Sequence, residues 1–260
     1  MTAIPNRQSP GALIAIASGK GGVGKTWFAI TLAHALARQS RKILLFDADL
    51  GLANVDIQLG LTPARDVSTL LAGRATAAET IVAFKPGGFD ILPGRSGSGT
   101  LASLEESRLD RLIALLQTQT AAYDHVLLDL GAGLDRTQRR LAAAAGTLLV
   151  LVTEEPTALT DAYAVIKLHQ QDSTSHDVRV VVNQAGTKSG GERTFATLAR
   201  ACDHFLNQAP ALAGVIRRDD KVREAIRRQT PLLTRHPASH AAADVETLAA
   251  GLFYPGGRSP

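Results

Sequence analysis

The sequence predicts an α/β fold: a doubly wound, mostly parallel sheet with helices on both faces. Three observations carry this. Short apolar runs alternate with segments of helical period from residue 12 to near the C-terminus, with no linker or break in composition. Runs such as Ile43-Leu44-Leu45-Phe46 are apolar at successive positions, as in parallel strands covered on both sides. A glycine-rich loop joins the first apolar run to the first helix. With 260 residues, 45% hydrophobic and 20% charged, the chain can bury one large core. We expect a single domain over residues 12–253, with flexible segments at 1–11 and 254–260. Aromatics are only 4%, so the core is aliphatic.

The loop, Ser18-Gly19-Lys20-Gly21-Gly22-Val23-Gly24-Lys25-Thr26, fits G-x-x-x-x-G-K-[ST], with Gly19, Gly24, Lys25 and Thr26 in the fixed places. Glycines let backbone N–H groups curl around phosphate oxygens with no Cβ in the way, and the following helix adds its positive N-terminal end. Lys25 would reach the β- and γ-phosphates, and the Thr26 hydroxyl would bind Mg²⁺. The alternative is a glycine-rich turn that binds nothing. The apolar run Leu13-Ile14-Ala15-Ile16-Ala17 before it and the apolar-periodic helix after it favour the phosphate loop. Lys20, directly after the first glycine, is a second lysine that an ordinary loop of this kind does not require.

After the loop, Trp27 to Gln39 places Phe28, Leu32, Ala35 and Leu36 on one helical face. The strand from Ile43 to Phe46 runs into Asp47-Ala48-Asp49-Leu50-Gly51-Leu52-Ala53-Asn54-Val55-Asp56. Open α/β sheets place ligands at such carboxyl ends, which favours a site role for Asp47 and Asp49; turn or capping chemistry suffices for Asp56. Asp66 to Ala72 and Thr76 to Ala83 read as short helices, Lys85-Pro86-Gly87-Gly88 as a turn and Phe89 to Leu92 as a strand. Arg95 to Thr100 is a Gly/Ser loop that either approaches the nucleotide or a partner or simply links.

Ser103-Leu104-Glu105-Glu106 reads as a capping box opening a helix to Gln117, with Leu109, Leu112, Ile113 and Leu116 inward. Asp124-His125-Val126-Leu127-Leu128-Asp129 ends a strand on an acid, the arrangement that holds the Mg²⁺ shell in phosphate-loop enzymes, and Leu130-Gly131-Ala132-Gly133 is a loop suited to sensing a γ-phosphate. Strands follow at Thr147 to Val152, Val178 to Val182 (ending at Asn183) and Ala211 to Ile216. Helices follow at Ala158 to His169 and Ser189 to Asn207, the latter turning Cys202 to the core. After Arg217-Arg218-Asp219-Asp220, a basic helix carries Lys221, Arg223, Arg227 and Arg228, read first as a solvated face.

The net charge of +4 permits an anionic partner without demanding one. A single cysteine excludes an internal disulfide framework and an intrachain Cys-x-x-Cys metal site. Met1 to Gly11 lacks the apolar centre of a signal peptide, and no run is long enough to span a membrane, so a cytoplasmic location is expected.

Lys20-Gly21-Gly22-Val23-Gly24-Lys25-Thr26 resembles the deviant phosphate loop of the MinD/ParA ATPases. The acid-rich stretch Asp47 to Asp56, Leu128-Asp129-Leu130-Gly131-Ala132-Gly133, Glu155-Pro156-Thr157-Ala158-Leu159-Thr160-Asp161-Ala162-Tyr163 and Gly214-Val215-Ile216 with Asp219 extend the resemblance over roughly residues 12–235, and their wording is that of the flagellar-number branch, FlhG/FleN. The resemblance implies a slow ATPase that forms a homodimer around two Mg-ATP and dissociates after hydrolysis. It implies nucleotide contacts from Gly19, Gly21, Gly22, Val23, Gly24, Lys25, Thr26, Trp27, Asn183 and Arg217. Thr26, Asp47 and Asp129 would serve Mg²⁺, with Lys20, Lys25 and Asp49 catalytic, Lys20 acting on the partner's nucleotide as an arginine finger does. Lys20, Asn54, Glu155 and Asp161 would lie at the dimer interface. Implied partners are the regulator FleQ and flagellar assembly proteins, with recruitment to a cell pole or the inner membrane face.

Some residues depart from the family pattern. Leu130 replaces a hydroxyl residue after the Walker B acid, which motivates a second reading: a nucleotide-binding regulator with little hydrolysis. Arg217 stands where proline is common. No N-terminal activator helix precedes the first strand, so stimulation of the GTPase FlhF is not expected. The C-terminal segment Ala241 to Phe253 has Asp244 and Glu246 and no basic face, so its membrane binding is expected to be weak or absent. A third reading, a ParA-like DNA-partition ATPase, rests on the sequence pI of about 9.5 and the basic 217–228 segment; DNA is not the favoured partner. One cysteine cannot supply the ligands of an iron–sulfur carrier.

Overall fold

The computed structural model describes residues 12–94, 104–133, 135–175 and 177–252. The proposed flexible ends, the loop at Arg95 to Thr100 and Ser103 lie outside the described residues. Among these, eight strands form one sheet: β1 (Ala12–Ser18), β2 (Ile43–Ala48), β3 (Val82–Phe84), β4 (Phe89–Leu92), β5 (His125–Ala132), β6 (Thr147–Val152), β7 (Val178–Ala185) and β8 (Ala211–Arg217). Their order is β3-β4-β2-β5-β1-β6-β7-β8. Every pairing is parallel except β3 with β4. The doubly wound α/β expectation holds.

Strand side chains alternate between two helical layers. From β1, Leu13, Ala15 and Ala17 enter one core while Ile14 and Ile16 enter the other. The first layer holds α5 (Glu106–Gln119), α6 (Arg136–Ala143), α7 (Pro156–Asp172) and α8 (Lys188–Leu206). The second holds α1 (Lys25–Arg38), α10 (Leu232–Arg235) and α11 (His240–Leu252). Cys202 is fully buried on α8, where burial pushes its thiol up to about 11, as an inert core residue. Between β2 and β3 lie α2 (Val55–Leu59), α3 (Val67–Leu71) and α4 (Ala77–Thr80); α9 (Asp220–Arg227) follows β8.

Two sequence expectations are corrected. The helix read from Thr76 to Ala83 stops at Thr80, although its Thr76–Glu79 capping box is formed. Val82–Phe84 instead turns back as an edge strand on β4, because the tight turn with Gly88 at φ 69° brings the Phe84 and Phe89 rings to 5.3 Å. The helix after residue 104 starts at Glu106 with Glu105 at its N-cap and runs to Gln119, later at both ends than read; the box proposed at Ser103 lies outside the described residues. The helices α2, α6 and α10 had no counterpart in the sequence reading.

In α11, Ala241, Ala242, Val245, Leu248, Ala249 and Leu252 are buried against α1 and β8, and Glu246 pairs with Arg38. The apolar face of this C-terminal helix is thus spent on the core. No described helix is long and apolar enough to cross a membrane.

Candidate nucleotide site

β1, at the centre of the sheet, delivers the glycine-rich loop at its carboxyl end. Gly22 and Gly24 hold φ of 79° and 90°, which L side chains rarely adopt. A Cβ on Gly24 would also stand 2.7 Å from Asn183 Nδ2. Buried Asn183 donates from Nδ2 to the Val23 carbonyl at 2.7 Å, so β7 buttresses the loop from behind. Gly19 is confined differently: a Cβ there would lie 2.5 Å from the Asp161 carbonyl oxygen. Gly19→Ala is therefore expected to cost about 1–3 kcal/mol, the usual penalty of overpacking, read as a lower midpoint in thermal unfolding. An unchanged midpoint would show that α7 yields at Asp161.

Lys25 opens α1 and is 9% exposed. Its Nζ donates to Ser18 Oγ at 2.9 Å, and that hydroxyl donates onward to the Lys20 carbonyl at 2.6 Å. Burial lowers the Lys25 pKa, while the Asp129 and Asp49 carboxylates pull it back up. Lys20 is separate from this arrangement. Its side chain is 40% exposed, and its ammonium pairs with Glu155 and lies 3.3 Å from Thr157 Oγ1, both at the start of α7. Of the residues expected at an interface, Lys20 and Glu155 thus meet within one chain, Asp161 packs under Gly19, and Asn54 stands exposed at the α2 N-cap.

Asp47 and Asp129 are paired in register on neighbouring β2 and β5, each about 1% exposed. Asp47 Oδ2 accepts N–H bonds from Asn54 and Val55, both at 2.8 Å. It thereby caps α2, a role the sequence offered to Asp56. Asp129 accepts from the Thr26 hydroxyl, but its Oδ1 is buried and has no hydrogen-bond partner among the described residues. A buried carboxylate oxygen left open beside a phosphate loop suits a divalent cation, so Asp129 with Thr26 fits Mg²⁺ better than Asp47 does.

Burial raises both carboxyls, Asp129 to about 8 with Asp47 adding to it, and Asp47 to about 7 against its backbone N–H bonds. Such groups bind protons more tightly folded than unfolded, so stability falls as pH rises from the ordinary 3.8 through these values. Buried His34 and His125, pushed down to about 4, make stability rise with pH only between that value and 6.5, and add no slope above it. Without Mg²⁺ or nucleotide, the thermal midpoint is therefore expected to drop between pH 6.5 and 8. Asp129→Asn is expected to raise it by a few degrees at pH 8. A lower midpoint for Asp129→Asn at pH 8 would contradict this electrostatic picture.

Asp49 follows β2 on the loop to α2. Its Oδ1 accepts from Leu52 N–H at 3.1 Å, and a Cβ on Gly131 would lie 3.3 Å from that same oxygen. The β2–α2 loop and the segment after Asp129 therefore touch. A cavity of about 260 Å³ opens beside the phosphate loop, near the lower end of small-molecule sites, and is lined by Gly22, Gly24, Trp27, Asn183, Arg217 and Arg223 among others. Arg217 sits there as expected, yet its guanidinium is turned to Asp244, with Nε and Nη2 each 2.8 Å from a carboxylate oxygen.

Sequence reasoning missed Ser18 and Gln138. Ser18 opens the loop stretch but holds none of its fixed places. Asp135-x-x-Gln138 has capping-box spacing, which hides the actual reach of Gln138.

A family profile described as the CobQ/CobB/MinD/ParA nucleotide binding domain matches residues 14–232. The chain is 38% identical over 240 residues to "Antiactivator FleN" of Pseudomonas aeruginosa, covering 92% of this chain and 85% of that protein. It is 32% identical to "Flagellum site-determining protein YlxH" of Helicobacter pylori, covering 71% of this chain and 62% of that protein. Among solved structures, the cell division ATPase MinD of Pyrococcus furiosus superposes with a TM-score of 0.75 at 25% identity, covering 92% of this chain and 97% of the other. With the phosphate loop, the paired acids and the sheet order already in place, these similarities make the chain a member of the CobQ/CobB/MinD/ParA family, a MinD/ParA-type ATPase on the FleN/FlhG branch.

Proposed function

We propose that the chain is a slow ATPase whose ATP-bound form is a homodimer, and that this dimer governs flagellar number or placement. The observation that carries the reading is the presence of two lysines with different surroundings. Lys25 is buried at the loop and supplies the cis charge, whereas Lys20 stands at an exposed rim, held by Glu155 and Thr157. An exposed ion pair contributes at most about 1 kcal/mol, so a triphosphate presented by a second copy can outcompete Glu155 for Lys20. Leu52, 70% exposed beside Asp49, offers apolar area to the same partner surface.

Within one chain, the loop N–H groups and Lys25 bind the phosphates, Thr26 and Asp129 hold Mg²⁺, and Asp49 orients or deprotonates the attacking water. Mg²⁺ supplies charge neutralisation at the phosphates when bound. Asp47 fixes the loop that carries Asp49, and the Asn183 side of the cavity receives the base. The antiactivator and flagellum site-determining relatives support a flagellar output; the proposed listeners are a regulator of the FleQ kind or assembly proteins, at a cell pole or inner membrane face.

The test is phosphate release at saturating Mg-ATP across a range of protein concentration. A site completed by a second copy gives specific activity that rises with protein concentration toward a plateau. Activity proportional to protein throughout, down to nanomolar levels, would sink the shared-site reading.

A further inference from the structure

Gln138 lies on the first turn of α6, is 8% exposed, and has no place in the chemistry described so far. Its Oε1 accepts the buried Gly131 N–H at 2.9 Å, two residues after Asp129. Its Nε2 donates to the Ala48 carbonyl at 3.3 Å, one residue before Asp49. One amide thus ties the chain leaving β5 to the chain leaving β2. Glutamine suits this position because it offers an acceptor and a donor on one rigid plane. The amide is aimed by the helix beneath it: Asp135 caps α6 by accepting from the Thr137 and Gln138 N–H groups at 2.9 and 3.1 Å. On the far side, Gly133 N–H donates to the Ser18 carbonyl at 3.2 Å, at the start of the phosphate loop. The β1–β5 register also shifts at this point, between Ile16 and Ser18.

We propose that Gln138 is a positioning residue that makes the segment after Asp129 and the Asp49 loop move as one unit when the γ-phosphate arrives or leaves. The proposal rests on the roles given above to Asp49 and Asp129. A shift of Gly131 toward a phosphate either breaks its bond to Oε1 or carries the amide along. Breaking it strands two buried polar groups, at a cost that favours joint motion. Gln138 would thereby transmit occupancy of the cradle to the water-positioning carboxylate.

The experiment uses the full chain with Gln138→Met, close in volume and unable to form either bond, and Gln138→Glu, which keeps the acceptor for Gly131 N–H and loses the donor to Ala48. Wild type against Asp49→Ala is run first; an Asp49-independent wild-type rate would refute the underlying reading without touching Gln138. Given an Asp49-dependent rate, Gln138→Met is expected to lower kcat about tenfold with KM for ATP within about twofold. Hydrogen exchange at residues 48–52 and 129–133 should respond together to a non-hydrolysable ATP analogue in wild type. In Gln138→Met and Gln138→Glu only 129–133 should respond. Unchanged kcat with both segments still responding together would overturn the proposal. So would a loss of activity no larger than the loss of folded protein in the thermal melt, since that is a structural role alone.

Discussion

Replacing Asp49 by alanine is expected to lower the phosphate-release rate by about a hundredfold or more while leaving nucleotide affinity within about threefold. The split follows from position. Asp49 sits on the loop after β2, bonded to Leu52 N–H and facing Gly131, away from the bonds that shape the phosphate cradle. On the proposed mechanism, removing it takes away the group that orients or deprotonates water and none that bind phosphate in the ground state. Asp47→Ala differs, because it uncaps α2 at Asn54 and Val55 and lowers stability as well. Single-turnover phosphate release alongside a binding titration separates the two. An Asp49→Ala protein that hydrolyses at the wild-type rate would transfer the water-positioning role to another residue.

Lys25→Met is expected to weaken nucleotide binding about a hundredfold, as loss of charge-assisted bonds to phosphate requires. Methionine keeps the stem that is packed at the head of α1, and Ser18 Oγ retains its bond to the Lys20 carbonyl, so the fold should survive. The readout is built in: Trp27 is the single tryptophan, and it lines the cavity beside the loop. Its fluorescence should change on adding Mg-ADP to wild type and stay flat in Lys25→Met up to tens of wild-type dissociation constants. Wild-type affinity in the variant would mean that backbone N–H groups alone carry the phosphate.

The sheet was legible because its strands are continuous apolar runs, and the loop because its glycines and lysine keep fixed spacing. Asp47 and Asp49 lie at the carboxyl end of β2 as the sequence suggested, whereas β5 runs on past Asp129 to Ala132, through a stretch read as a loop from its glycines. Sequence could not reveal which carboxylate oxygen is free. Asp47 and Asp129 look alike as letters, yet the first accepts from three backbone N–H groups, of Asp49, Asn54 and Val55, and the second keeps one oxygen open. The edge strand Val82–Phe84 was hidden by a helix start whose capping box is real but four residues long. Gln138 was invisible because its two partners are backbone atoms brought near by sheet order, not by spacing along the chain.

The pairing of Lys20 with Glu155 was likewise beyond sequence. In the proposed dimer it separates two states of one residue: the exposed cis ion pair seen in the single chain, and a phosphate contact across the interface. The measurement that tests this most directly is solution mass by light scattering with Mg-ADP and then Mg-ATP, in a background of Asp49→Ala to prevent turnover, with and without Lys20→Ala. The expected result is monomer with ADP, dimer with ATP, and monomer with either nucleotide once Lys20 is removed, although nucleotide still binds. ATP-dependent dimers that persist unchanged in Lys20→Ala would contradict it.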